Sequence, residues 1–232
     1  MTLDDNLLER LNLVLWSVAT TLTFIMALLS HATARSSALE PTERRGKLSW
    51  AAFFYTLTGA DVLLVAWKYF VGDAILVSAL ERTSNAGFYV ASLFKVADVE
   101  ASIKRAGKWR GHPFSVALAA ILVVVAVADP EVYKRPGGLQ VLFGTLACVG
   151  FAIFPLVYFY VSLKARGAVR WDAFKISAGA VFVGLGYLFR PANAVYYRVT
   201  PTLDLLVNWL NFTSPTSVII GVVLVYLGSR RG

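Results

Sequence analysis

The chain has 232 residues, a net charge of +8, a pI near 9.7 and a mean hydropathy of +0.64. Hydrophobic residues make up 57% of it, more than in ordinary soluble domains, and they gather in blocks long enough to span a bilayer. This predicts an all-α polytopic membrane protein with one domain, residues 1–232. It leaves no room for a separate kinase, nucleotide-binding or DNA-binding domain.

The positive charge is a topology signal, because the basic residues are dispersed among loops that alternate with the apolar blocks. No nucleic-acid partner is therefore predicted, and the bilayer is the expected surrounding. The single cysteine, Cys148, lies in an apolar block, so neither an intramolecular disulfide nor a cysteine metal site is expected.

The first three predicted helices carry the main ambiguity of the topology. Helix 1 is predicted at 11–34, and helix 2 begins near Leu48. Helix 2 can end at 72–73, where Gly72 and Asp73 favour a turn, or at 81–87, which contains more turn-forming residues. The second end is favoured, with helix 3 at 86–105 and a kink in helix 2 near Gly72.

Four further helices follow, and they complete a bundle of seven. Helix 5 contains Pro155, which predicts a kink. Gly179 and Gly186 of helix 6 lie seven residues apart on a small-residue surface suited to close helix contact. The predicted ranges are 113–128 for helix 4, 139–163 for helix 5, 171–189 for helix 6 and 202–228 for helix 7.

The basic residues assign an orientation, because cytoplasmic loops carry the positive excess. With seven spans, the N-terminus is predicted outside and the C-terminus in the cytoplasm, in a multi-pass protein of the cell membrane. The richer side holds Arg35, Arg44, Arg45, Lys47, Lys104, Arg105, Lys108, Arg110, Lys164, Arg166, Arg170, Arg230 and Arg231, and the other holds Arg10, Arg82, Lys134, Arg135, Arg190 and Arg198.

A candidate polar network lies on helices 2 and 3. Asp61 and Lys68 share a face of helix 2, with Asp73 further along, and Lys95 and Asp98 share a face of helix 3. Ionisable groups within a bilayer are costly and commonly functional. They can form a proton or ion relay or a polar ligand site, or they can be ion pairs that fix helix register. Ending helix 2 at Gly72 would instead bring Glu81 and Arg82 into the membrane and move Asp98 out of it.

A second polar stripe lies on helix 7. Asp204, Asn208 and Asn211 share one face, and Arg190 lies near them in the preceding connection. They predict a pocket open to the outer side. The alternative is a polar seam that hydrogen-bonds to neighbouring helices.

No cofactor or metal is predicted. The only histidines, His31 and His112, lie near the cytoplasmic side, whereas a membrane haem or a zinc site needs more ligands, placed together. Neither a phosphate-binding glycine loop nor a Ser-His-Asp set is present. An enzyme is therefore the weakest of the functional classes, and a lipid would be its substrate.

Two known architectures are similar to the predicted bundle. Retinal-binding rhodopsins have seven helices with the N-terminus outside, and they hold retinal on a lysine of the last helix. Residues 199–232 contain no lysine, so a retinal pigment is excluded. The sugar-transporting SWEET proteins share the orientation, but here Pro155 is followed by Leu156 instead of glutamine, and no internal repeat is evident. Membership of neither family is inferred.

The sequence thus predicts a non-catalytic integral membrane protein, either a sensor or an accessory subunit of a membrane complex. Its partners would be membrane subunits or further copies of the same chain, and its ligand is not specified. The alternative is a small transporter or an ion or proton channel that uses the charges of helices 2 and 3.

Overall fold

A computed structural model describes residues 5–36, 39–105, 112–127, 138–188 and 204–230. Over these ranges the chain forms seven α-helices and no strand. The helices are α1 (Asp5–Ala34), α2 (Pro41–Tyr69), α3 (Ala74–Arg105), α4 (Pro113–Val127), α5 (Gly138–Lys164), α6 (Gly167–Leu188) and α7 (Asp204–Ser229).

The helices form a closed ring. Each helix packs against the next one along the chain, and α7 packs against α1. Helix α3 also contacts α5 across the ring. The buried core includes side chains from all seven helices: Trp16, Phe53, Phe54, Phe88, Leu118, Phe154, Val183 and Val218.

Neighbouring helices run in opposite directions, so their connections alternate between two ends of the ring. The ends of α1, α3, α5 and α7 lie at one end of the ring, together with the starts of α2, α4 and α6. It is called here the basic end because its described residues include Arg35, Arg44, Arg45, Lys47, Lys104, Lys164, Arg166, Arg170 and Arg230. The turn between Tyr69 and Ala74 lies at the opposite end.

Three helical segments are long and apolar enough to cross a membrane: Leu7–Ala34, Pro41–Tyr69 and Phe212–Ser229. Two shorter apolar segments, Pro113–Val124 and Cys148–Lys164, accompany them. The charged residues of α3 and α6 lower the hydropathy of those two helices.

The favoured end of helix 2 at 81–87 is wrong. Helix α2 ends at Tyr69, and 81–87 lies inside the 32-residue helix α3. Asp73 begins α3, because its Oδ1 accepts a hydrogen bond from the Leu76 amide at 2.8 Å. The alternative end at 72–73, which was not favoured, agrees with the structure. Helix 3 begins at Ala74 instead of at 86 and ends at Arg105 as predicted, and helices 1 and 2 begin earlier than predicted.

The turn-forming residues within 81–87 are small residues at a helix contact. The Ser84 hydroxyl donates to the carbonyl of Ala60 on α2 at 2.7 Å. A Cβ on Gly87 would lie 2.7 Å from the Cβ of Ala60, so only glycine allows this approach. The residue types that favour a turn in the sequence therefore serve close packing of α3 on α2.

Helices α6 and α7 approach each other most closely at a ladder of small residues. A Cβ on Gly179 would lie 2.5 Å from the carbonyl oxygen of Gly221. A Cβ on Gly186 would lie 2.7 Å from the carbonyl oxygen of Ser214. Gly228 meets the Asp172 carbonyl in the same way. Each step of seven along α6 is thus matched by a step of seven back along α7, as antiparallel packing requires.

Candidate functional site

The centre of the bundle holds a carboxylate bonded to a tyrosine from across the ring. Asp61 on α2 is fully buried, and its Oδ1 accepts a hydrogen bond from the hydroxyl of Tyr187 on α6. The Tyr187 ring also packs against Phe88 of α3 at 5.2 Å and Trp16 of α1 at 6.1 Å. Four helices therefore meet at this pair, called here the central pair.

A second buried carboxylate, Glu81 of α3, lies near the same level. It is one turn from Ser84, which bonds Ala60, the residue next to Asp61. The favoured topology places Glu81 in a loop, whereas ending helix 2 at 72–73 places it within a helix, as in the structure. Two acidic side chains are thus buried in neighbouring helices, between the centre of the bundle and the opposite end.

The basic end contains a compact charge cluster of Ser49, Lys95 and Asp98, called here the basic-end cluster. Lys95 of α3 is buried, and its Nζ donates to Ser49 Oγ at 2.5 Å and to Asp98 Oδ2 at 3.0 Å. Ser49 Oγ lies 3.0 Å from the same Asp98 oxygen. The ammonium also lies 4.3 Å from the centre of the Trp50 ring, a cation–π distance.

Lys47 connects α2 to the end of the last helix. Its buried Nζ donates to the carbonyl oxygens of Ser229 at 2.8 Å and Arg230 at 2.9 Å. The last carbonyls of a helix have no intrahelical donor, and a cation there complements the helix dipole. Lys47 therefore holds the C-terminal end of α7 against α2.

The end opposite to the basic end holds the remaining predicted residues of the network. Lys68 donates to Asn12 Oδ1 of α1 at 2.7 Å, and the Tyr69 hydroxyl donates to the same oxygen. Asn12 is buried. Asp73 is exposed and caps α3, so it belongs to the turn between α2 and α3.

A layer of rings separates the central pair from the basic-end cluster. Trp50, Phe53 and Phe54 lie on the buried face of α2 between Ser49 and Asp61, Phe154 of α5 packs against Phe53, and Phe88 of α3 packs against the Tyr187 ring. These five side chains are called here the aromatic layer. Ser49 and Asp61 are twelve positions apart on α2, about 18 Å along the helix. The Phe53 and Phe154 rings are 5.3 Å apart, and those of Phe53 and Phe54 5.2 Å.

Two more acidic residues hold helices in place near the basic end. Glu100 of α3 is buried and accepts hydrogen bonds from the amides of Phe114 and Ser115, at 2.8 and 3.1 Å, and from the Ser115 hydroxyl at 2.5 Å. It thereby caps the first turn of α4 from a neighbouring helix. Asp172 and Lys175 pair within α6 at 3.1 Å.

The five residues of the predicted network thus lie at different levels. Lys95 and Asp98 form an ion pair at the basic end, Asp61 is central, and Lys68 and Asp73 lie toward the opposite end. The predicted outer pocket consists of Arg190 and of side chains within 204–211. Both lie outside the part of the molecule that the structure describes.

Sequence reasoning identified the intramembrane charges but missed their partners. The sequence prediction places Lys47 among the basic loop residues and names no partner for Asp61 on helix 6. Glu100 lies four residues before Lys104, near the predicted end of helix 3, and is not part of the predicted network. The sequence signal for an interior polar face on α3 is the helical spacing of Glu81, Ser84, Ser92 and Lys95, which places them on one side of the helix.

Comparison with known proteins gives no relative. No protein-family model matches this sequence, and neither a curated protein nor a solved structure is significantly similar to it. Within the described ranges, no three His, Cys, Asp or Glu side chains gather where they could hold a metal ion. The arrangement of charges and rings is therefore the basis for any functional conclusion.

Proposed function

We propose that the chain is a seven-span protein of the cell membrane, with its N-terminus outside and its basic end in the cytoplasm. Helix α3 has 32 residues and α6 has 22, long enough for a bilayer core of about 30 Å at 1.5 Å per residue. Their charged residues Glu81, Lys95, Glu100 and Asp172 are buried in the bundle, which supports spanning by helices of modest hydropathy.

Within that topology the proposed role is that of a non-catalytic sensor or accessory subunit. The aromatic layer carries this proposal. A conducting or transporting bundle needs polar groups or water along a path, whereas over the roughly 18 Å between Ser49 and Asp61 the buried residues of α2 are all apolar: Trp50, Ala51, Phe53, Phe54, Leu57 and Ala60. The buried charges then act as fixed contacts between helices at separate levels.

The outward face of α1 supplies a surface for a membrane partner. Its buried face holds Leu8, Asn12 and Trp16. The opposite face is mostly apolar and repeats with alternating steps of four and three, the spacing of helix-pairing seams, with Thr21 at the one polar position of the repeat. This exposed stripe contains Leu7, Leu11, Val14, Val18, Ile25 and Leu28. It fits either another subunit or a second copy of the chain.

A flux assay separates this role from transport. The purified chain is reconstituted into liposomes that contain a pH-sensitive dye, and a potassium diffusion potential is applied with valinomycin. We expect proton flux equal to that of empty liposomes and of liposomes with the Asp61→Asn variant. Flux through the unmodified chain that Asp61→Asn abolishes would contradict the proposal.

Photocrosslinking tests the partner surface. Benzoylphenylalanine at Val18, on the exposed stripe of α1, should give one discrete protein adduct in native membranes. The matched control is Val123 on α4, which is also exposed and apolar and should give lipid adducts only. Equal patterns at the two positions would contradict a dedicated partner on α1.

Proton transport is the second candidate, and the central pair favours it. Asp61 is a fully buried carboxylate within a candidate span, bonded to a hydroxyl that can donate or accept a proton. In that case the aromatic layer would have to open. The flux assay decides between the two candidates.

A further inference from the structure

An apolar groove runs along the outside of the bundle between α5 and α6. It encloses about 380 Å³, a volume typical of small-ligand sites. Pro155 and Leu156 line it from α5, and Val181 and Gly184 line it from α6. Ser177 also lines it, but its hydroxyl is bonded to the Pro155 carbonyl at 2.9 Å. The groove therefore suits a hydrocarbon.

The groove opens away from the core, toward the surface that faces lipid in the proposed topology. Leu156 and Val181 on its walls are exposed. Its depth comes from Gly184, where a Cβ would lie at an ordinary 3.5 Å from the Phe151 side chain. A larger side chain at position 184 would thus extend into the groove without displacing the backbone.

A basic turn lies at one end of the same helix pair. Lys164, Arg166 and Arg170 are exposed and fall within seven residues that contain no acidic residue. The next acidic residue, Asp172, is paired with Lys175. Trp171 adjoins them with 64% of its surface exposed, as expected at a membrane interface.

The distances from the basic turn along the groove match the depth of one leaflet of the bilayer. Phe159, the groove residue of α5 nearest the turn, lies five residues from Lys164, about 7.5 Å along the helix. Cys148, the farthest, lies about 16 Å beyond Phe159. A hydrocarbon core of about 30 Å gives each leaflet half that depth, so the groove has the length of one acyl chain.

From this juxtaposition we propose that the α5–α6 hairpin binds one anionic phospholipid of the cytoplasmic leaflet. Lys164, Arg166 and Arg170 hold the phosphate-bearing head group, and one acyl chain lies in the groove between the helices. Three clustered cations favour an anionic head group over a zwitterionic one. The inference rests on the proposed membrane topology and is independent of the sensor role.

Native mass spectrometry of the detergent-purified full chain tests the proposal, with phosphatidylglycerol and phosphatidylcholine of identical acyl chains added in equal amounts. We expect one phosphatidylglycerol per chain, retained at least about tenfold better than phosphatidylcholine. The variant Lys164→Gln/Arg166→Gln/Arg170→Gln should lose this preference. Equal retention of the two lipids by the unmodified chain would overturn the proposal.

The matched charge control is Arg44→Gln/Arg45→Gln/Lys104→Gln, which removes three exposed cations elsewhere at the basic end. It should keep the preference for phosphatidylglycerol. An equal loss in both triple variants would mean general attraction to a basic surface and would overturn a defined site. Soluble glycerol phosphate should bind neither form, since it lacks the chain; binding at the turn would overturn the role of the groove.

Variants at Gly184 test the acyl chain. Gly184→Leu should reduce retention of both lipids, and Gly184→Ala should retain them, with circular dichroism confirming the helical fold of each. Phosphatidylglycerol with a diazirine in its acyl chain should label peptides that cover 148–159 and 177–188 in the unmodified chain. Labelling spread evenly over the exposed helices would overturn the proposal and leave the topology intact.

Discussion

At the scale of single residues, the central pair joins helices that are 126 residues apart in sequence. A buried carboxylate is tolerated only when hydrogen bonds compensate its lost hydration. Tyr187→Phe removes the hydroxyl that donates to Asp61 and leaves the ring in place. We expect it to lower the free energy of unfolding by about 1.5–3 kcal/mol, measured by denaturant titration in detergent micelles.

A double-mutant cycle assigns this loss to the pair. Asp61→Asn combined with Tyr187→Phe should cost less than the sum of the single substitutions, by more than about 0.5 kcal/mol. Tyr55→Phe, which removes a hydroxyl from a partly buried tyrosine of the same helix as Asp61, should change stability by under about 0.5 kcal/mol. If the losses of stability from the two single substitutions simply add up in the double variant, the Tyr187 hydroxyl does not stabilise the protein through Asp61.

Lys47 offers a second test at the same scale. Lys47→Met keeps the length and packing of the side chain but removes the donor to the carbonyls of Ser229 and Arg230. The last turn of α7 should then fray, so its backbone amides should exchange with deuterium faster. Lys104→Met, at an exposed position near the end of α3, should leave that exchange unchanged.

These residues show which part of the site the sequence could predict. The charges of α2 and α3 were identified because an ionisable residue within an apolar block is visible in the sequence. Their partners were not, because Tyr187 and the Ser229 carbonyl come from helices more than a hundred residues away. Helical spacing relates residues within an element, and it carries no information on which distant helix completes a hydrogen bond.

At the scale of elements, the boundary between α2 and α3 shows how turn propensity can lead to a wrong prediction of where a helix ends. Ser84 and Gly87 lie in a run that favours a loop, yet both are contact residues of a continuous helix. A short turn with Asp73 as the helix cap is sufficient to reverse the chain. In this bundle, small residues of that run serve close helix packing instead of ending a helix.

The ladder between α6 and α7 gives a prediction for these small residues. Gly221→Ala places a Cβ 2.5 Å from the Gly179 carbonyl oxygen, and the backbone of one helix must move. We expect a loss of about 1–3 kcal/mol, which corresponds to a lower melting temperature by about 2–4 °C per kcal/mol for a chain of this size. A thermal scan in detergent measures it.

The control for this prediction is Gly184→Ala on the same helix as Gly179. The added Cβ there meets Phe151 at 3.5 Å, an ordinary contact, so the melting temperature should stay within about 2 °C of the unmodified chain. If Gly221→Ala were as neutral as Gly184→Ala, the close approach of α6 and α7 would not hold in solution.

At the scale of the whole molecule, buried charge explains why α3, a helix of 32 residues, is not among the three segments that are apolar enough to cross a membrane. In α3, Phe94 and Ile75 are exposed whereas Glu81, Lys95 and Glu100 are buried. Such a helix has a polar interior face and an apolar exterior, the reverse of a helix in a soluble protein. Mean hydropathy is averaged over every residue of the helix, so it does not detect the difference between the two faces.

Cysteine accessibility tests the orientation, with Gly72 and Gly46 as a matched pair. Both have open space where a Cβ would be added, and they lie at opposite ends of α2. In a Cys148→Ala background, Gly72→Cys should react with a membrane-impermeant maleimide in intact cells. Gly46→Cys should react only after the membrane is permeabilised.

The two positions test more than one helix, because the orientation of α2 sets that of every neighbour in the ring. If Gly72 is outside, the turn of Lys164 and Arg166 lies in the cytoplasm, where anionic lipid is abundant, and the exposed stripe of α1 begins on the outer side. The reverse labelling pattern would invert the bundle and remove the basis for the phospholipid site. Labelling of both positions in intact cells would show that α2 does not span the membrane.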